Sequence, residues 1–255
     1  SIDHVGIITH KVYDSLLLLN TLSHLDITPI TRKSLHGIRI GVLKEGFSSN
    51  EISLEVNKRV LSAVEMLAKM GATIKTVSVP NHKKSWQMTI PLITESHVIN
   101  KMASSLCENY NNFRSSNFNK LPEVLQIFTL LKLALDNHLP NRAHNKTSIF
   151  IQNLTKQFNS LFDECDLILM PTSPILPEKL PDNTSTFTQN FMKSVNMLSN
   201  TVSFNLTHHP AMSLPCAFSS SGLPIGLMLV AKHYNESIIY HVAEYLEKNF
   251  DWRNF

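Results

Sequence analysis

The 255 residues are 43% apolar and 17% charged, enough to bury a sizeable core and too apolar for a disordered chain. The net charge of +3 is small, and the basic residues are scattered without interleaved aromatics, which argues against nucleic-acid binding. No uninterrupted run of ~18 apolar residues occurs, which argues against a membrane-spanning helix.

The chain starts with Ser1 and enters an apolar helical pattern almost at once. It is therefore expected to begin inside a longer protein. A helix is predicted over Lys11 to Leu22, with Thr9 as its cap and Val12, Leu16, Leu17 and Leu19 as its apolar positions. "GIRIGVL" at 37 to 43 reads as a buried strand. The next helix opens on a Ser48/Glu51 capping box, repeats Val56, Val60, Val64 and Leu67 on one face, and stops at Gly71. "ATIKTVSVP" at 72 to 80 completes a βαβ unit whose crossover is expected to be right-handed.

Residues 85 to 108, 121 to 138 and 143 to 163 read as helices. Asp166 to Met170 is a buried strand carrying a Pro/Thr/Ser loop at its carboxyl end, where α/β sheets place ligands. Residues 212 to 218 and 224 to 231 form a hairpin across "SSSGL", and a helix over 236 to 248 closes the chain. One domain is expected over 1–255, of α/β class.

The candidate chemistry is sparse. No G-x-S-x-G elbow or H-E-x-x-H motif occurs. His208 and His209 are adjacent, so on a strand they point to opposite faces and do not share a metal. Cys107, Cys165 and Cys216 lie far apart, which suits neither a disulfide framework nor a zinc site and favours a reducing, cytoplasmic setting. Cys216, between apolar residues and next to a proline, reads as core. Only 7 glycines are present, none clustered into a loop able to cradle an oxyanion. No metal, cofactor or complete catalytic set is expected.

Six segments in this order, "SIDHVGIITHKVYDSLLLL", "GIRIGVLKEGF", "LAKMGATIKTVSVP", "CDLILMPTSP", "FNLTHHPAMSLPCAFSSSGLPIGLMLV" and "DWR", resemble the C-terminal half of an amidase signature family enzyme. Broad-specificity amidases found alongside nitrile metabolism are the kin the segments look most similar to. The resemblance implies the amidase signature fold, a mixed, largely parallel sheet flanked by helices, here without its N-terminal half. It also implies hydrolysis of carboxylic amides to acid and ammonia by a serine, a second serine held by a cis peptide, and a lysine. All three are expected upstream, so no residue here takes a catalytic role and the chain alone should be inactive.

What remains, by the same resemblance, is pocket wall: Trp86, Thr172, Asn205, Leu206, Thr207 and His209 are the expected substrate-binding residues. Asn205 and Thr207 have an alternative reading as partners of buried backbone groups. The implied partners are a small amide, the missing half of the domain or a complementary chain, and a second copy in a homodimer. The departures are Ile7 where the family has proline, a shortened loop between Leu25 and Gly37, and His208 where it has glycine. Two other readings stay open: a glutamine-dependent amidotransferase subunit, and a non-catalytic half-amidase that binds a partner.

Overall fold

A computed structural model describes residues 2–28, 34–48, 53–108, 120–138, 142–180 and 186–254. Its frame is a five-stranded sheet built from β1 (Arg39–Leu43), β2 (Thr73–Val77), β3 (Leu167–Pro171), β4 (Ala211–Phe218) and β5 (Pro224–Ala231). Their order is β2-β1-β3-β5-β4. β1 pairs in parallel with β2 and with β3, while β5 runs antiparallel to both β3 and β4. The sheet is thus mixed, as expected, with two parallel pairings matched by two antiparallel ones. β4 is an edge strand, and Pro215, which has no N–H to donate, sits where its register with β5 slips.

Strand periodicity sorts the apolar residues into two cores, one on each face. Ile40, Leu167, Leu169, Leu227 and Leu229 face one core with α2 (Leu54–Lys69) and α9 (Glu236–Asn249), onto which α1 (Val12–Ser23) packs. Ile168, Met170, Met228 and Val230 face the other, with Leu154, Phe158 and Phe162 on and just beyond α6 (Arg142–Leu161). The remaining helices gather on this second side: α3 (Ser85–Thr94), α4 (His97–Glu108), α5 (Glu123–His138), α7 (Phe187–Leu198) and α8 (Val202–Thr207). Among them α3 touches α5, α6 and α8.

Two expected caps are corrected. The N-cap of α2 is Ser53, whose hydroxyl accepts from the Val56 N–H at 3.3 Å; Ser48 precedes it, and Glu51 lies outside the described residues. Thr9 donates its hydroxyl to the Lys11 carbonyl at 2.7 Å instead of capping α1. The long helix expected over 85 to 108 is broken after α3, where the Ser96 hydroxyl accepts from the Ile99 N–H at 3.4 Å and caps α4. Gly71 follows α2 at φ 102°, a conformation that favours glycine.

Glu45 ties β1 to β2. Its carboxylate, only 8% exposed, accepts from the Ser78 hydroxyl at 2.6 Å and the Val79 N–H at 2.9 Å. Burial works to raise its pKa, but these hydrogen bonds outweigh it and hold the carboxyl below its ordinary value. Glu45→Ala is expected to cost about 2 kcal/mol in urea unfolding, because it leaves the buried Val79 N–H unpaired.

Candidate functional site

The site lies where β3 gives way to its loop and α8 gives way to β4. α7 and α8 were not read from the sequence, although Thr186 and Gln189 form a complete capping box at the start of α7. α8 is short and ends on His208 in the left-handed conformation (φ 58°, ψ 23°). Its N–H closes the last turn onto the Phe204 carbonyl at 2.8 Å. His208 and His209 therefore occupy a helix terminus, not a strand: His208 is exposed and His209 buried.

A broad cleft of about 1740 Å³ runs along this junction. It brings together Thr172, Asn205 and His209 with Ser213, His208 and His4. Leu206 and Thr207 line a smaller neighbouring cleft beside Leu92, Ile151 and His233. Trp86, half-buried on α3, lines neither of these two clefts; its ring packs edge-on against Phe191 of α7 at 5.7 Å.

Thr172 is positioned by backbone and side chain together. Its N–H donates to the Gly226 carbonyl at 2.9 Å, and its hydroxyl lies 2.6 Å from that of Ser213 across the sheet. Gly226 makes this approach feasible: a Cβ there would lie 3.0 Å from both hydroxyl oxygens. Sequence reading did not single out Ser213; its signal is a polar residue at an exposed position of an otherwise apolar strand.

The polar residues of "FNLTHH" divide by burial. Thr207 is 2% exposed, and its hydroxyl donates to the Ser203 carbonyl at 3.0 Å, which is the backbone-satisfying role. It also meets His209 Nδ1 at 2.8 Å. His209 Nε2 sits 3.1 Å from the Asn159 amide, and the ring stacks on His233 at 3.9 Å. Asn205, by contrast, is exposed on the cleft with its backbone in the helix.

Behind this wall lies a buried network. The Asn200 amide donates to the carbonyls of Gly46 and Pro171 at 3.0 and 2.7 Å, so its oxygen accepts from His82 Nε2 at 3.3 Å. His82 Nδ1 takes a hydrogen bond from Ser203 at 2.7 Å, and the Ser203 and Ser85 hydroxyls lie 2.8 Å apart. Helix α8, the loop after β3 and the start of α3 are thereby locked to one another. Burial pulls the His82 pKa down to about 4, with Asn200 and Glu45 opposing and Lys83 adding. Burial, with His233 and His208 adding, brings His209 to about 3. Both rings are neutral at pH 7. The Cys216 thiol is fully buried and pushed up to about 12 by burial, which suits packing and not nucleophilic attack.

A mixed sheet covered on both faces by helices, with a cleft at the carboxyl end of its central strand β3, defines an α/β protein. The family model described as Amidase matches residues 1–239, and the chain belongs to that family, the amidase signature enzymes. It is 28% identical over 282 residues to a subunit of the glutamyl-tRNA(Gln) amidotransferase of Bacillus cytotoxicus, covering 99% of this chain and 56% of that protein. The chain thus spans about half the length of this relative. Its fold is similar to a crystal structure of an amidase (TM-score 0.71, 18% identity, 94% of this chain and 51% of the other). It is also similar to 6-aminohexanoate cyclic dimer hydrolase (TM-score 0.70, 18% identity, 96% and 54%). Among the described residues no helix is long and apolar enough to cross a membrane.

Proposed function

We propose that this chain forms the C-terminal wall of an amide-hydrolysing site, at which a carboxylic amide and water become a carboxylic acid and ammonia. The observation that carries the reading is the convergence of Thr172, Asn205 and His209 on one cleft in a chain of the amidase family. On this reading the nucleophilic serine, the cis-peptide serine and the lysine come from polypeptide outside these 255 residues. The wall fixes the amide: Asn205 offers both a donor and an acceptor at the cleft surface, Thr172 and Ser213 offer hydroxyls, and the neutral His209 limits the site's width.

Asn205→Ala in the native enzyme is expected to raise KM about tenfold, the worth of one hydrogen bond of ~1.4 kcal/mol, while changing stability by less than about 0.5 kcal/mol. Steady-state kinetics beside urea unfolding checks both halves. A loss of stability without a change in KM would return Asn205 to a purely structural role.

A second reading is favoured by the 28% identity to an amidotransferase component over nearly the whole chain. In it the amide is glutamine, and the ammonia passes to a tRNA-linked substrate with partner subunits present. The deciding experiment isolates the native protein and measures ammonia release from small aliphatic and aryl amides and from glutamine. Release from small amides without partners supports the first reading, and glutamine consumption only with partner subunits supports the second. Release from neither, by a native chain of 28.8 kDa, would overturn both in favour of a binding chain.

A further inference from the structure

We propose that the side chains of His208 and His4 form a partition that keeps the larger cleft apart from the smaller one and so restricts the site to amides with small substituents. The inference rests on the amide-hydrolysing reading above and adds the size of the substrate to it. Three side chains line both clefts: His208, His233 and Tyr234. His233 is held against the protein, its Nε2 donating to the Thr207 carbonyl at 2.7 Å and its ring stacked on His209 at 3.9 Å. Tyr234 is 93% exposed and bars little. His208 is left to close the boundary.

His4 meets that ring from the N-terminal segment, the two sharing a hydrogen bond of 3.0 Å between His4 Nε2 and His208 Nδ1. His4 is anchored in turn, its Nδ1 donating to the Ile2 carbonyl at 3.0 Å. Ile2 lines the smaller cleft and His4 the larger, so the imidazole pair bridges from α8 to the N-terminal segment where the two clefts meet. The backbone points the same way. His208 adopts the left-handed conformation (φ 58°), in which a residue with a side chain is strained and glycine is not. Glycine, which the family resemblance leads one to expect there, would end α8 equally well and leave the boundary open. What histidine adds is the ring.

The space behind the partition suits an apolar arm. The smaller cleft, about 760 Å³, is lined by Leu92, Ile151 and Leu206 with the hydroxyl-bearing Ser148 and Thr155. Among the described residues no Asp, Glu, Lys or Arg lines it, and its volume lies within the roughly 300–1,000 Å³ of small-molecule sites. With the bridge in place that wall is closed to a substrate seated beside Asn205, a steric exclusion. Without it, the ring of an aryl amide gains apolar surface on which to bury itself.

The test measures kcat/KM for propionamide and phenylacetamide in the full native protein and in its His208→Gly, His208→Asn and His4→Ala variants. The native protein is expected to favour propionamide, and each variant to raise the ratio of phenylacetamide to propionamide by about tenfold or more. Asparagine tolerates the left-handed backbone, so a rise in His208→Asn reads the loss of the ring and not a freed helix end. His4→Ala alters an exposed side chain and leaves α8 untouched, so it reads the bridge even if a change at 208 disturbs the fold locally. A ratio unchanged in either His208→Asn or His4→Ala would overturn the partition. Hydrolysis of neither amide by the native protein is a separate outcome, which would overturn the amide-hydrolysing reading and the partition with it.

Discussion

Acidification from pH 7 to pH 4 is expected to remove on the order of 5 kcal/mol of stability, through His82 and His209. Both are buried, at 2% and 4% exposed, and both are held neutral, with folded pKa values of about 4 and 3. In the unfolded chain a histidine titrates near ~6.5. Between that value and the folded ones the unfolded state binds protons that the folded state refuses. The stabilisation is therefore complete above pH ~6.5 and is lost as pH falls from there towards the folded values. A loss of this size rivals the whole stability of an ordinary domain, ~5–15 kcal/mol. The groups facing His82 are Glu45 and Lys83, which act in opposite senses, while those facing His209 are His233 and His208, which both add to the lowering. Urea midpoints measured from pH 7.5 to 4 should show the slope, and His82→Gln should flatten about half of it. A flat profile across pH 6.5 to 4.5 would show that these rings are hydrated in solution.

Phe158→Ala is expected to cost about 3–5 kcal/mol, the largest loss from a single truncation on the second face of the sheet. The side chain has no exposed surface. Its ring meets Phe204 at 5.1 Å, His209 at 5.8 Å and His82 at 6.2 Å, joining α6 to the cleft wall and to the buried network. The cavity would open beside the strand residues Ile168 and Met170. Phe158→Leu, which retains most of the volume, should lose under about 1.5 kcal/mol. Comparable losses for the two variants in urea unfolding would mean that aromatic geometry, not volume, sets the cost.

Much of the frame could be read from local pattern. The run "PIGLMLVA" is β5 at the same bounds, Pro224–Ala231, and the apolar positions expected of α2 at Val56, Val60, Val64 and Leu67 are all buried. Helix ends were less legible, because several serines compete for one cap. The sequence reading placed the cap at Ser48, but α2 starts at Leu54, so Ser53 takes the role. Helices α7 and α8 were passed over because their segment follows a Pro-rich loop and carries many polar residues. Helix α7 nevertheless carried its signal, a Thr186/Gln189 capping box followed by apolar residues at helical spacing.

The sequence by itself determined the family, the α/β class, the order of strands along the chain and the sheet-building apolar runs, because these rest on periodicities and motifs a few residues long. Tertiary structure alone decided which polar side chains of "FNLTHH" are spent on the fold and which face the cleft. Asn205 and Thr207 are two residues apart and chemically alike, yet a helix turns one to the surface and the other inward to the Ser203 carbonyl. The Asn200, His82 and Ser203 network and the His4 and His208 pair likewise join residues more than a hundred positions apart. Their chemistry comes from distances near 3 Å, and such distances exist only once the chain has closed on itself.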